Sequence, residues 1–467
     1  MSKKRIFLTG ATGVMGSKGL EELLKYPEEY DVTILVRDNA HTRKALKPLA
    51  QEIASGRIHV ITGDLCDKDS VAKGVAHADI ILHVGGMVSP YADWYPEETI
   101  QTNIGAMRNI IEAAKNRPDP PAVVYIGSVA QYGHRDVPNH WGGAGDPLSP
   151  AYYDAYAYSK TEAERLLADS DLPKWVSLRQ TGILHSGLLK KANDPIAFHV
   201  PIEGVLEWVT AEDSGRLLER VCRDTVPESF WRKFYNIGGG APYRMTNYEF
   251  ESRLLKAMRC PAPEKIFDAR WFALRNFHGF WFSDSDKLES ILHFRSGTSP
   301  DAYFKQMKSE MPWYYGLAPL APAWALKMGM KRVANTPGLG PMWGIKNWKE
   351  GRITAYFGSL DRWKKLKGWE SFNLKRPADT PPQKSSTPQY TAGSIAAICS
   401  RRGMQSIPQE FLEGETKMGM EGEIAPDQML TLICRHGHSF RMKARTLIEG
   451  GHWCPECMKE RVRLGEE

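Results

Sequence analysis

Through the first 130 residues, short β-branched apolar runs alternate with stretches of helical spacing. The runs are Ile6 to Leu8, Asp31 to Val36, Ile58 to Thr62, Asp79 to Val84 and Val123 to Ile126, and each predicts a buried strand. Ser17 to Lys25 and Glu97 to Asn116 carry apolar residues three and four apart, which predicts amphipathic helices. The alternation predicts an α/β fold, a doubly wound parallel sheet with helices on both faces, whose ligand lies across the carboxyl ends of the strands.

The pattern changes further on. Residues 256 to 372 hold eight of the fourteen tryptophans, and Met311 to Leu326 is uncharged though broken by Pro312, Pro319 and Pro322. Such a segment either fills its own core or supplies aromatic walls for a flat, greasy substrate. Contact of Met311 to Met330 with a membrane surface is a further reading, but the stretch is too short and too proline-rich to span. Residues 376 to 394 read as a linker. The expected organisation is 1–255 nucleotide-binding domain, 256–375 aromatic-rich cap, 376–394 linker and 395–467 a separate metal-binding module.

A tight glycine turn, Thr9-Gly10-Ala11-Thr12-Gly13-Val14-Met15-Gly16, joins the first strand to the first helix. Free backbone N–H groups and the positive end of a helix dipole suit a pyrophosphate there, and a bare βα turn is the bland alternative. Gly10 can take a positive φ, Gly13 admits a phosphate to the backbone, and Gly16 lets the helix close on the strand. Strand two ends in Val36-Arg37-Asp38. A guanidinium at that end pairs with a 2′-phosphate and an acid with ribose hydroxyls, so Arg37, with Arg43 and Lys44 behind it, favours NADP, while Asp38 keeps NAD open. Asp64 after strand three faces the expected adenine. His83-Val84-Gly85-Gly86 after strand four leaves room for the cofactor.

Ser128 ends strand five, and 28 residues later Tyr156 and Lys160 stand four apart on a predicted helix, hence on one face. An adjacent ammonium stabilises a phenolate, so Lys160 is expected to lower the Tyr156 pKa and to hold the nicotinamide ribose. Ser128 then binds a substrate oxygen while Tyr156 passes the proton. A surface Tyr/Lys pair is the bland alternative.

With these motifs in order, the chain resembles the extended short-chain dehydrogenases/reductases, the group that includes nucleotide-sugar epimerases, dehydratases and 3β-hydroxysteroid dehydrogenases. Further matches are Asp64-Leu65, Asn103 in Thr102-Asn103-Ile104-Gly105, Leu178-Arg179, and Tyr235-Asn236-Ile237-Gly238-Gly239-Gly240, over roughly residues 3 to 255. The resemblance implies a Rossmann-type sheet, a catalytic set of Ser128, Tyr156 and Lys160, and Asn103 either in a water relay or fixing its helix. It implies a dinucleotide against Thr9, Gly10, Thr12, Gly13, Val14, Met15, Gly16, Arg37, Asp64, Leu65, His83, Tyr156 and Lys160, and a cap that shapes the substrate pocket. Two departures, Arg179-Gln180-Thr181-Gly182 after strand six and His83-Val84-Gly85-Gly86, speak against a nucleotide-sugar substrate. The expected activity is NADP-dependent hydride transfer on a hydrophobic carbonyl or secondary alcohol. The alternatives are an epimerase or dehydratase with tightly bound cofactor, or a non-catalytic scaffold; a homodimer is entertained as the assembly.

Near the C-terminus, Cys434 and His438 precede Cys454-Pro455-Glu456-Cys457, with fifteen residues between His438 and Cys454. Soft and imidazole ligands at this spacing suit a tetrahedral structural zinc bound by Cys434, His438, Cys454 and Cys457, with His436 and His452 as rivals for the imidazole. A redox-active Cys-x-x-Cys is the other reading. Arg441, Lys443, Arg445, Lys459, Arg461 and Arg463 make the module basic, through solvated charge or through contact with a nucleic acid or protein.

Composition adds little. The 61 basic against 55 acidic residues give no dedicated nucleic-acid arm, and 42% hydrophobic content supports a core in a 467-residue, multidomain chain. The absence of a signal-like or spanning segment, with Cys66, Cys222, Cys260 and Cys399 scattered, predicts a cytoplasmic, reduced protein.

Overall fold

The computed structural model describes residues 3–89, 91–190, 194–311, 313, 320–382, 389–406 and 422–463. Seven parallel strands form one sheet in the order Lys233–Ile237, Trp175–Gln180, Ala122–Ser128, Ile80–His83, Lys4–Thr9, Tyr30–Val36, Ile58–Thr62. Apolar residues on both faces of these strands meet helices. One face packs on Val14–Leu23 and Ala211–Arg220, the other on Lys68–Val75, Pro96–Lys115 and Ala155–Ala168. The doubly wound α/β sheet is thus present, and the first five expected strands lie within two residues of their predicted ends.

The strand order runs outward in both directions from Lys4–Thr9 and Ile80–His83, so a crevice opens at their carboxyl ends. The glycine turn fits there with no room to spare. Gly10 has φ +75, and a Cβ there would sit 2.6 Å from the Gly85 nitrogen; a Cβ on Gly16 would sit 2.1 Å from the Gly10 oxygen. Any side chain at either position would force the turn off the strand or off its helix.

The aromatic-rich segment does not wall the crevice with its tryptophans. Trp271 and Trp281 are buried in local cores, Trp369 is packed beside the first of these, and Trp313, Trp324 and Trp348 are exposed. Part of the uncharged Met311 to Leu326 stretch, at 312 and 314–319, lies outside the described residues, as do positions 383–388 of the expected linker. The described part of that linker lies on the domain: Arg376 stacks over Trp281 and pairs with Glu249, and Asp379 pairs with Arg244.

The C-terminal module has its own core of Ile395, Leu430, Leu432, Met442 and Leu447. Its first helix, Ala392–Arg401, crosses the expected boundary at 394/395, because Ala392 and Ile395 belong to that core. The module is not free of the domain. Met458 and Val462 of the helix Pro455–Arg463 pack with Ile104, Ala155 and Tyr158 of the two long helices. Three of its basic residues are also not solvated charge. Lys443 and Arg445 are buried, donating to the Ser170 and Arg232 carbonyls, and Arg461 bonds Ser149 and stacks over Tyr152. The side chain of Arg463 lies outside the described set.

Candidate active site and metal centre

A cavity of about 710 Å³ follows the carboxyl ends of the strands. One half of it is lined by Gly10, the Thr12 to Gly16 turn, Arg37, Asp64 and Leu65. Arg37 is exposed at the rim, while Asp38 is drawn into an ion pair with Arg43. Asp64 lines the wall with one oxygen engaged by the Cys66 N–H at 2.8 Å.

Two residues expected against the dinucleotide do not line the cavity. Thr9 and His83 are 0% and 1% exposed and lie under the floor, outside the cavity wall. His83 Nδ1 is 2.9 Å from Thr9 Oγ1, which also accepts from the Gly85 N–H at 3.0 Å. Burial, with the nearby Lys160 charge, pushes the His83 imidazole down to about 3, so it is neutral. These two side chains fasten neighbouring strand ends and hold the glycine pair in place. Strand alternation is the reason: a polar residue at a strand end projects to one face only.

Ser128, Tyr156 and Lys160 converge on one wall. The helix Ala155–Ala168 begins at Asp154, whose carboxylate caps it by accepting from the Ala157 N–H at 2.8 Å, and this aims Tyr156 at the cavity. Tyr156 hydrogen-bonds Ser128, and Ser128 caps the short turn after its strand. Lys160 Nζ donates to the Ile126 carbonyl at 2.9 Å. Burial lowers its pKa to about 8, against the upward pull of Glu164 one turn further on. The expected lowering of the Tyr156 pKa is not what this arrangement gives. Burial pushes the phenol up to about 12, the Ser128 bond opposing it, because desolvating a phenolate outweighs that help.

Asn103 is buried and fully occupied. Its oxygen accepts from the Met87 N–H at 2.7 Å, and its amide donates to the Met87 carbonyl and to Ser159 Oγ at 3.0 and 2.9 Å. It therefore clamps the loop after strand four to the Tyr156 helix. A Cβ on Gly86 would approach the Asn103 oxygen to 2.8 Å, which accounts for the glycine there.

The other half of the cavity is apolar, with Val200, Leu206, Trp208, Phe250, Leu254 and Phe277 on its walls. Its described arginine, Arg135, is spent on Asp146 and the Trp141 carbonyl at 2.7 and 3.0 Å. Sequence reasoning missed Glu251 and His278, which also line it. Helical periodicity from Asn247 through Leu254 could have placed Glu251 on the inner face.

Outside the cavity lining, Cys434, His438, Cys454 and Cys457 bring their ligand atoms within 4.8 Å of one another. His438 Nδ1 is 3.4 to 3.5 Å from all three sulfurs, and the Cys434 and Cys457 sulfurs are 3.6 Å apart. A tetrahedral ion with bonds of about 2.0–2.3 Å requires ligand separations of about 3.5–3.8 Å, so the donor set fits zinc. The rivals point elsewhere: His436 is exposed, and His452 is buried with Nε2 2.7 Å from Glu164.

That last contact ties the module to the Tyr156 helix. Glu164 accepts from Arg179 through both oxygens, at 2.6 and 3.0 Å, and Arg179 also donates to the Gly450 carbonyl of the module at 2.5 Å. Although burial opposes it, Arg179 and His452 hold the Glu164 carboxyl down to about 2.

Comparison with known proteins fits this geometry. Residues 6–172 match the model of the NAD dependent epimerase/dehydratase family. An uncharacterized membrane protein of Methanocaldococcus jannaschii is 33% identical over 112 residues, 24% of this chain and 32% of its own. The 3 beta-hydroxysteroid dehydrogenase type 7 of Homo sapiens is 26% identical over 200 residues, 40% of this chain and 52% of its own. The chain thus spans 32% and 52% of the length of these two curated relatives. Among solved structures, the UDP-glucuronic acid 4-epimerase of Bacillus cereus, in complex with UDP-glucuronic acid and NAD, aligns with a TM-score of 0.52. At 17% identity, covering 66% of this chain and 100% of the other, that likeness is one of fold. Among the described residues, no helix is long and apolar enough to cross a membrane.

Proposed function

From the match of residues 6–172 to the NAD dependent epimerase/dehydratase family, we propose that the protein is an NADP-dependent oxidoreductase acting on a hydrophobic carbonyl or secondary alcohol. The observation that carries this reading is the convergence of Ser128, Tyr156 and Lys160 on a cavity whose far half is apolar and, among the described residues, short of free cations. A nucleoside diphosphate needs cationic or N–H partners, and Arg135 and Lys160 are already engaged.

The glycine turn at the start of Val14–Leu23, which lines the cavity, offers its backbone N–H groups to the dinucleotide's phosphates. When bound, the nicotinamide is the hydride donor or acceptor. Ser128 and Tyr156 hold the substrate oxygen between their hydroxyls, and Tyr156 gives it a proton on reduction or takes one on oxidation. Lys160, charged or neutral near its pKa of about 8, orients the ribose and offsets the charge that develops on Tyr156. Arg37 at the rim, with Asp38 neutralised by Arg43, supports NADP over NAD. Arg37→Ala is expected to weaken NADP binding about ten-fold, ~1.4 kcal/mol, and leave NAD binding nearly unchanged in a titration of each.

A second reading, an epimerase or dehydratase with retained cofactor, is favoured by the family match. The two separate on one experiment: assay of purified protein against ketones and alcohols with NADPH or NADP, before and after dialysis. Stoichiometric consumption of added cofactor supports the oxidoreductase. Nicotinamide that stays bound through dialysis, with no net consumption, supports the alternative. The module is proposed to hold a structural zinc, since four protein ligands leave no position for substrate, in a reducing compartment that keeps its thiols free.

A further inference from the structure

Helix Asn247–Ala257 stands outside the seven-stranded sheet and turns one face to the apolar half of the cavity, where Asn247, Phe250, Glu251 and Leu254 appear at helical spacing. Three of these have an evident task. Phe250 stacks on Trp208 with ring centroids 4.3 Å apart, Leu254 adds apolar wall, and Asn247 donates to the Val200 carbonyl at 3.1 Å. Glu251 has none. It is 7% exposed, lines the cavity, and makes no hydrogen bond or ion pair with any described residue. Burial alone pushes its carboxyl up to about 7.

A buried carboxyl left without a partner destabilises the fold, so a sequence that only had to pack this wall would place an apolar residue there. His278, Thr181 and Gln180 also line this cavity, but their unpartnered atoms, His278 Nδ1, Thr181 Oγ1 and Gln180 Oε1, are shielded from it and offer Glu251 nothing. Burial lowers the pKa of His278 to about 4, so its ring is neutral and adds no cation to balance Glu251. Among the described residues, nothing in the apolar box satisfies the acid.

We propose that Glu251 recognises a hydrogen-bond donor, an amine or a hydroxyl, carried on the apolar body of the substrate apart from the carbon that is oxidised or reduced. This rests on the oxidoreductase reading for which end of the ligand reacts, and not for binding itself. It makes Glu251 a specificity residue. The substrate class becomes an amphipathic alcohol or ketone with a second polar group, in place of a plain hydrocarbon alcohol or a sugar nucleotide.

The test uses three probes of matched size: 4-cyclohexylcyclohexanol, its 4′-hydroxy derivative and its 4′-amino derivative. Binding to the full-length protein with NADP is measured by calorimetry, and oxidation by NADPH formation. The amine or the hydroxyl probe is expected to bind at least about ten-fold more tightly than the apolar one. Glu251→Leu should erase that margin while binding the apolar probe as well or better. Glu251→Gln, which keeps an acceptor oxygen, should retain the preference for the hydroxyl and lose that for the amine. A cofactor titration confirms that each variant is folded. Equal affinity for all three probes, no binding of any, or a margin that survives Glu251→Leu overturns the proposal. A margin that depends on Glu251 with no oxidation of any probe would instead overturn the oxidoreductase reading and leave this one standing.

Discussion

Two buried glutamates on two helices divide the molecule. Glu164, two turns below Tyr156, is 0% exposed and meets Arg179, Ser177 and His452, so its charge is paired with a guanidinium and hydrogen-bonded twice more. Glu251, on the wall of the cavity, is nearly as buried and meets nobody among the described residues. The first carboxyl is pulled down to about 2 and the second pushed up to about 7. Burial with partners makes a joint, in this case between the sheet, the Tyr156 helix and the C-terminal module. Burial without partners marks a place kept for something else.

Breaking the joint should have the largest effects. Chelation of the proposed zinc removes the staple of the module's small core, and with it the anchor of His452 and Gly450. The energy at stake is on the order of 10 kcal/mol in small zinc domains. Residues 422–463 should become protease-sensitive and the melting temperature should fall; a chelated protein as resistant as the untreated one would count against a structural metal. Glu164→Leu leaves Arg179 buried without its counter-charge and His452 without its hydrogen-bond partner, and should cost about 3–5 kcal/mol in denaturant unfolding. A loss below about 1 kcal/mol would show that the network is not a joint.

The contrast between the two acids is sharpest in its dependence on pH. Against an ordinary glutamate at 4.5, the folded chain holds Glu164 at about 2, so its contribution is full above pH 4.5 and is lost as pH falls through about 2. Glu251 acts in the opposite sense. Its folded value of about 7 lies above 4.5, so stability falls as pH rises from 4.5 and the penalty is complete above about 7. Glu251→Gln should therefore change little at about pH 4.5 and stabilise the protein by up to about 3 kcal/mol at about pH 8. Stabilities at the two pH values that shift together would remove the distinction drawn between the two acids.

The sheet can be read from sequence because its information is local. Each strand is an apolar run bounded by turn residues, and the Tyr156/Lys160 pair and the Cys434, His438, Cys454 and Cys457 set declare themselves by spacing. What cannot be read depends on partners distant along the chain. His452 resembles a zinc ligand because it sits two residues from Cys454, yet its partner Glu164 is 288 residues away. Lys443 and Arg445 resemble solvated charge for the same reason. His83 has the position of a cofactor contact, while its orientation follows from its packing against Thr9. The eight tryptophans suggest an aromatic wall, but the cavity's indole is Trp208, which lies upstream of them all.

The most direct test of the central claim is Tyr156→Phe, with cofactor binding and turnover measured on the same preparation. The substitution removes one hydroxyl from the cavity wall and leaves the glycine cradle untouched. NADPH affinity should stay within about two-fold, while turnover of the best substrate in the ketone and alcohol panel falls by about a hundred-fold or more, the usual loss when an acid/base group is removed. Turnover equal to that of the unaltered protein would contradict the assignment of Tyr156 as the group that moves the proton.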